Sequence, residues 1–271
     1  MQRTGLAGGA ACVVLLSGCA GGGPLLHPAK TLPQGEIRAA AGISGEAVAG
    51  NFATALEGAR NEQNTETGTP PDPTYAKGAL VAAATNPGIA PFVSARVGLA
   101  YDFEAGIAYT GRGIRVDARH AFYFGTDNAW AFSLGAGGSA ALYGGLDGGD
   151  LPGVNLSDLK GWGADVPLLL GYEATGGLYM VWLGARGGWE HDTISTLTTE
   201  PGPGLDTAPT GLSADRFWGG PVLGAAVGFR HVHVALEVDA SYQTVKGTFG
   251  GTTASVSGVA IVPAAALWWD F

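Results

Sequence analysis

The feature that most constrains the fold of this chain is a two-residue alternation of apolar and polar side chains, which recurs from residue 36 to the C-terminus. This period places successive side chains on opposite faces of a β-strand. Clusters of Gly, Asn, Asp and Pro separate the alternating segments, as turns do. The sequence therefore predicts an all-β domain over residues 36–271 with about ten strands.

The connections between these segments predict how the strands are arranged. Short links alternate with long ones at residues 50–91, 144–160, 194–214 and 247–254, which is typical of an antiparallel transmembrane up-and-down β-barrel. The predicted strands are Glu36–Ala49, Phe92–Leu99, Asp102–Tyr109, Gly113–Phe124, Ala129–Tyr143, Gly161–Ala174, Leu178–Thr193, Asp215–Phe229, Val232–Lys246 and Ser255–Phe271. An even number of strands would place both chain ends on one side of the membrane.

Residues 50–91 leave the strand number open. They fit one long loop, or two extra strands at Phe52–Ala59 and Ala76–Ala84, and Ala79–Ala84 also fits a helix. Barrels of 8 or 12 strands are therefore the alternatives to ten.

Each predicted strand has a charged face and an apolar face. Arg115, Asp117 and Arg119 share one face of their strand, and Ile114 and Val116 share the other. We interpret the charged face as the lumen and the apolar face as the lipid side. The residues predicted to form a polar network in the lumen are Arg96, Glu104, Arg115, Asp117, Arg119, Asp165, Glu173, Arg186, Glu190, Glu237 and Asp239. Their opposite charges favour a plugged or very narrow interior, and the alternative is an ion-selective path.

The first residues predict export and lipid attachment. Arg3, the apolar run 6–16 and the sequence Leu16-Ser17-Gly18-Cys19 resemble the signal peptide and lipobox of bacterial lipoproteins. The resemblance implies that residues 1–18 are removed, that the Cys19 thiol receives diacylglycerol and that the new N-terminus is acylated, commonly with palmitate. Residues 19–35, rich in Gly and Pro, are predicted to be a flexible tether. Cys12 lies in the removed part, so no disulfide is expected.

The C-terminal strand and two internal hairpins carry a second resemblance. Leu267, Trp269 and Phe271 share one face, like the C-terminal signal that the barrel-assembly machinery reads in outer-membrane proteins. The segments 95–106 and 113–118 resemble hairpins of outer-membrane β-barrel lipoproteins of Gram-negative bacteria, a group without a common activity. The resemblance implies an outer-membrane location, N-terminal lipid anchoring, and outer-membrane lipid and the lipoprotein-export machinery as partners.

Composition and motifs exclude several functions. The net charge of −9 disfavours nucleic acid as a partner. His231 and His233 could share a strand face, but a metal site needs at least three ligands, so no metal is expected. Glu190-His191-Asp192 shares only a rim position with the acidic and histidine residues of ten-stranded omptin proteases. No catalytic residue and no cofactor are expected.

The sequence therefore predicts a non-enzymatic, lipid-anchored outer-membrane barrel with a structural or surface-interaction role. Three alternatives stay open: a narrow channel for small solutes, a hydrolase at the barrel rim, and a lipid-tethered soluble β-sandwich.

Overall fold

The chain folds into a closed antiparallel β-barrel of ten strands. In this computed structural model the described residues are 22–62, 73–85, 87–142, 159–194 and 211–271. Each strand pairs with its neighbours in sequence, and β1 closes the barrel by pairing with β10. The strands are β1 (Ile37–Ala49), β2 (Gly88–Gly98), β3 (Phe103–Tyr109), β4 (Gly113–Phe124), β5 (Trp130–Ala141), β6 (Lys160–Glu173), β7 (Tyr179–Ile194), β8 (Leu212–Phe229), β9 (Val232–Phe249) and β10 (Thr252–Asp270).

The barrel confirms the predicted fold class and strand number. The barrels of 8 or 12 strands and the soluble sandwich are wrong, because all ten strands form one sheet whose two edges pair with each other. The register of β1 on β10 sets Arg38 opposite Asp270, so the first strand begins where the last one ends. We call this end of the barrel the short-turn rim. The opposite end, where the connections after β1, β5 and β7 are long, is the long-loop rim. The long link predicted at residues 247–254 is wrong, because the ladder of β9 and β10 continues to a turn at Gly250 and Gly251.

The outer surface of the wall is apolar. Ile107, Val116, Leu183 and Leu223 point outward and are each half or more exposed. Aromatic side chains line the exterior near both rims. Near the short-turn rim Phe122 contacts Phe132, Phe124 contacts Trp130, Trp130 and Tyr179 both contact Tyr172, and Trp269 contacts Phe271. Nearer the long-loop rim Trp189 contacts Trp162 and Phe217.

The link between β1 and β2 contains two helices, α1 (Asn51–Glu62) and α2 (Pro73–Thr85). The extra strands that the sequence allowed at Phe52–Ala59 and Ala76–Ala84 are therefore wrong, and the helical alternative for Ala79–Ala84 is right. Proline favours the first position of a helix, and the alanines that follow in α2 are the best helix formers. Neither described helix is long and apolar enough to cross a membrane.

The two helices pack inside the barrel at the long-loop rim. Phe52 of α1 and Leu80 of α2 are fully buried. They join a cluster with inward side chains of the wall, among them Val245 of β9 and Val256 of β10. An added Cβ on Gly258 would lie 2.5 Å from the Phe52 ring, so a glycine is needed where α1 meets the wall. The hairpin therefore fills one end of the lumen with apolar side chains.

Replacing Phe52 with alanine tests this packing. Phe52→Ala removes a fully buried ring and should lower the free energy of unfolding by about 3–5 kcal/mol, as measured by urea titration in detergent micelles. Glu57→Ala, on the exposed face of the same helix, is the matched control and should change it by less than about 0.5 kcal/mol. Equal effects of the two variants would mean that α1 does not pack in the lumen.

Candidate functional site: the lumen

The half of the lumen nearer the short-turn rim contains a continuous chain of ion pairs in which positive and negative side chains alternate. It runs through Arg119, Glu104, Arg96, Asp117, Arg115, Asp165, Arg186 and Asp239, in that order. Arg96 lies 2.5 Å from Asp117, and Arg115 and Arg186 each lie 2.9 Å from Asp165. This chain of ion pairs contains four positive and four negative side chains. Each buried charge therefore has an opposite charge beside it, as a water-poor interior requires.

These side chains come from six strands, and the closed barrel brings them together in its interior. The inward positions of β2, β3, β4, β6 and β7 supply seven of the eight residues, and Asp239 of β9 is the last. Glycines leave space for the guanidinium groups to lie across the wall. An added Cβ on Gly137 would lie 2.4 Å from Nη2 of Arg115, and one on Gly106 would lie 2.6 Å from Nη1 of Arg96.

A second charged cluster, which we call the upper cluster, lies between this chain of ion pairs and the helical hairpin. Arg216 pairs with Glu190 and lies 3.7 Å from Glu46, and Arg112 lies 2.8 Å from Asp192. Nη1 of Arg112 also donates to the Ala84 carbonyl in the last turn of α2. This bond satisfies a helix-end carbonyl and places a positive charge at the negative end of the helix. The cluster therefore connects the hairpin to the wall.

Residues 22–34 occupy the rest of the lumen, and we call this segment the strap. It enters at the short-turn rim, where Gly35 donates to the Gly98 carbonyl, and it ends near Ser44, whose hydroxyl donates to the Gly22 carbonyl. The sequence predicted a flexible tether here. The described part of that tether lies instead within the barrel, with Leu25, Leu26 and Ala29 buried. The Gly and Pro content of this segment gave no sign of its position. The segment is held there by charged side chains of the wall, which are distant in sequence and bind its backbone.

Glu237 forms the most specific contact with the strap. Its Oε1 accepts hydrogen bonds from the Leu25 and Leu26 N–H groups at 2.6 and 2.9 Å, and its Oε2 accepts one from Trp182 Nε1 at 2.9 Å. Leu26 has a left-handed backbone, with φ at 47°. Successive N–H groups in such a turn converge on one anion. Among the described residues, no cationic side chain lies within ion-pair distance of Glu237.

Other side chains of the wall bind the strap through its backbone as well. Arg119 donates to the Pro28 carbonyl and, at 3.0 Å, to the Lys30 carbonyl. Glu104 accepts a hydrogen bond from the Leu32 N–H at 2.9 Å, and Arg186 donates to the Gly23 carbonyl. These contacts hold the strap along much of its length.

Two cavities accompany the strap. One, of about 110 Å³, lies between the start of the strap and the upper charged cluster and has room for a few water molecules. The other, of about 740 Å³, opens at the short-turn rim beside residues 30–34. Its walls include Arg38, Tyr123, Glu173 and Asp270. The strap thus leaves a polar vestibule open at this rim.

The structure places the eleven predicted lumen residues in four groups. Eight form the alternating chain, and Glu190 belongs to the upper cluster. Glu237 binds the strap, and Glu173 lies 3.5 Å from Lys30 of the strap. Sequence reasoning missed Arg38, Glu46, Arg112, Asp192 and Arg216. The two-residue alternation could have found four of them: Arg38 and Glu46 on β1, Asp192 on β7 and Arg216 on β8. Arg112 precedes β4, and only the packing of α2 brings it inward.

The histidine motifs of the sequence do not converge on a site. Glu190 and Asp192 point into the lumen, whereas His191 points outward, where it contacts Asp215 at 2.9 Å. His233 is buried and contacts the Gly177 carbonyl, and His231 lies exposed in the adjoining turn. Within the described residues, no group of three or more histidine, cysteine or acidic side chains could hold a metal.

Comparisons with known proteins give a likeness to solved outer-membrane proteins. No family model matches the chain, and no curated protein matches it. Neisserial surface protein A is 10% identical, with 87% of this chain and 96% of that one covered and a TM-score of 0.32. OprG from Pseudomonas aeruginosa is 10% identical, with 90% and 99% covered and a TM-score of 0.32. The copper transporter OprC is 12% identical, and the match covers 82% of this chain but 30% of OprC, with a TM-score of 0.32. The function must therefore be argued from the chain's own residues.

Removing one charge tests the alternating chain. Arg115→Met leaves Asp117 and Asp165 with one arginine fewer and should lower the free energy of unfolding by about 3–5 kcal/mol, as measured by urea titration in micelles. Lys30→Met breaks the partly exposed pair with Glu173 and should cost less than about 1 kcal/mol. If Arg115→Met lowered the free energy of unfolding no more than Lys30→Met does, the chain of ion pairs would not stabilise the barrel.

His27 makes the position of the strap sensitive to pH. Burial, and then the positive charges of Arg119, Arg96 and Arg115, lower the pKa of His27 well below its usual value of 6.5. The inserted strap therefore holds neutral His27, and a released strap binds a proton more readily. The inserted state keeps its full stability above about pH 6.5 and loses up to about 1.4 kcal/mol per pH unit below it.

Hydrogen exchange measures this effect. Amide exchange in residues 22–34, corrected for its intrinsic pH dependence, should show less protection at pH 5 than at pH 7.5. His27→Gln, which cannot gain a proton, should remove most of the difference. Equal protection at both pH values in the wild-type chain would contradict the prediction.

Proposed function

We propose that this chain is a lipid-anchored outer-membrane barrel with a closed lumen, and that it acts through its structure or its surface rather than by catalysis. The observation that carries the proposal is the distribution of side chains across the wall. Large apolar side chains cover the exterior between two groups of aromatic side chains, and the charges are enclosed. A bilayer requires this arrangement, because hydrocarbon faces the exterior and aromatic rings favour its two interfaces.

Placing a charge on the exterior tests the membrane assignment. Leu223 points outward on β8, about midway up the apolar band, and Phe229 lies outward at the end of the same strand. Leu223→Arg should make folding into lipid vesicles less favourable by about 2–4 kcal/mol, whereas Phe229→Arg should cost about 0–1 kcal/mol. The wild-type barrel should also migrate faster on SDS gels before boiling than after it. A mature chain that stays soluble without detergent would overturn the assignment.

The lipid anchor is proposed from the lipobox, since Cys19 lies outside the described residues. The position of Gly22 adds a constraint. Ser44, which binds the Gly22 carbonyl, is seven residues along β1 from Ile37, roughly 17 Å above the short-turn rim for a tilted strand. Three residues from Gly22 to Cys19 span at most roughly 11 Å. A lipid in the inner leaflet therefore requires the first part of the strap to leave the lumen.

Metabolic labelling tests the anchor. An alkyne-tagged palmitate should label the wild-type chain, and Cys19→Ser should abolish the label. Cys12→Ser is the matched control and should leave the label unchanged. Labelling that persists in Cys19→Ser would refute the lipid anchor without touching the barrel assignment.

Neither alternative activity gains support from the lumen. A solute channel would need a continuous path, whereas the strap and the helical hairpin occupy successive levels of the interior. A rim hydrolase would need converging groups, whereas His191 points away from Glu190 and Asp192. Outward Leu267, Trp269 and Phe271 support recognition of the C-terminal strand by the barrel-assembly machinery.

A further inference from the structure

The wall of the lumen binds the strap mainly through the strap's backbone. Glu237 and Glu104 accept three N–H groups of the strap, and Arg119, Arg186 and Ser44 donate to four of its carbonyl groups. Backbone groups are common to every polypeptide. This mode of binding therefore selects a chain that can follow the path of the strap and whose side chains fit the lumen, rather than one particular sequence.

Glu237 requires such a ligand most strongly. Without the strap, Glu104, Arg119 and Arg186 keep their ion-pair partners in the wall. Without the strap, Glu237 would keep one protein hydrogen bond, from Trp182, and water would have to replace the two N–H groups. With the strap in place the Glu237 side chain is buried, so a chain that takes this position must supply two N–H groups or leave the carboxylate short of donors, which is costly.

The vestibule provides a way in. The cavity of about 740 Å³ opens at the short-turn rim beside residues 30–34 and reaches Tyr123, whose hydroxyl contacts the Thr31 hydroxyl at 2.6 Å. A second chain can thus enter beside the strap and replace its contacts in sequence, starting from the rim. Exchange in steps avoids exposing all the buried charges at once.

We propose that the lumen is a binding site for a polypeptide segment that turns where it meets Glu237, as the strap does at Leu26, and that residues 22–34 are its occupant in cis. The ligand class is a chain with small or aliphatic side chains that enters from the short-turn rim. Two successive N–H groups of this ligand bind Glu237. The binding site does not depend on the lipid at Cys19, so it can be tested on barrels in detergent micelles.

The experiment uses the full chain with a protease site inserted between Gln34 and Gly35, where the backbone reaches the rim. After folding and cleavage, a fluorescein-labelled synthetic peptide of residues 22–34 is titrated and its anisotropy is measured. We expect saturable binding. N-methylation of the peptide at Leu25 and Leu26, which removes the N–H groups that bind Glu237, should weaken binding at least tenfold. N-methylation at Lys30, whose N–H donates to none of the described residues, is the matched control and should weaken it less than threefold.

A second measurement keeps the test valid if the cleavable variant does not fold. In the uncut wild-type chain, excess unlabelled peptide should speed hydrogen exchange at residues 22–34 at least threefold. The peptide N-methylated at Leu25 and Leu26 should not. Absence of binding to the cleaved barrel, equal binding of the two N-methylated peptides, or strap exchange that is unchanged by the peptide would each overturn the proposal. Any of these results would make the strap a permanent part of the core, and the membrane assignment, which the vesicle-folding and gel measurements test, would stand unaffected.

Discussion

The structure depends on compensation of charge inside a closed wall. Most inward charges on the barrel strands are removed from bulk water, and a buried charge without a partner costs several kcal/mol. The protein meets this requirement with the chain of ion pairs, in which each acidic side chain lies between two arginines, apart from Asp239 at the end. Because this chain of ion pairs crosses several strands, it also fixes their relative register.

Two inserted segments complete what the wall cannot fill alone. The helical hairpin brings apolar side chains to the long-loop rim, and the strap brings mainly backbone groups to the short-turn rim. The difference matters for function. Apolar packing is specific to the shapes of Phe52 and Leu80, whereas backbone hydrogen bonds can be made by another chain. The lumen therefore has one end built as a core and the other built as a binding site.

The proposed lipid attachment would be coupled to strap insertion through chain length. Cys19 lies three residues before Gly22, and Gly22 binds Ser44 well inside the barrel. An anchored lipid would pull on the end of the strap that contacts Ser44 and Arg186, while His27 weakens the middle of the strap at low pH. Both effects act on the same segment, and both leave the ion pairs of the wall in place.

The sequence by itself determined the barrel, the ten strands and the inward face, because a two-residue period fixes which side chains point together. It also supplied the eleven charged residues that the structure places on the inner side. Only the tertiary structure decided their partners, since Arg115 meets Asp165 across fifty residues of chain through barrel closure. It also decided that residues 51–62 and 73–85 form helices within the lumen and that residues 22–34, predicted to belong to a tether, lie inside the barrel. The local pattern of residues 50–91 left loop, strand and helix open, and residues 19–35 have only a Gly- and Pro-rich composition. Each segment is held by side chains distant in sequence, so its local pattern could not reveal its place in the lumen.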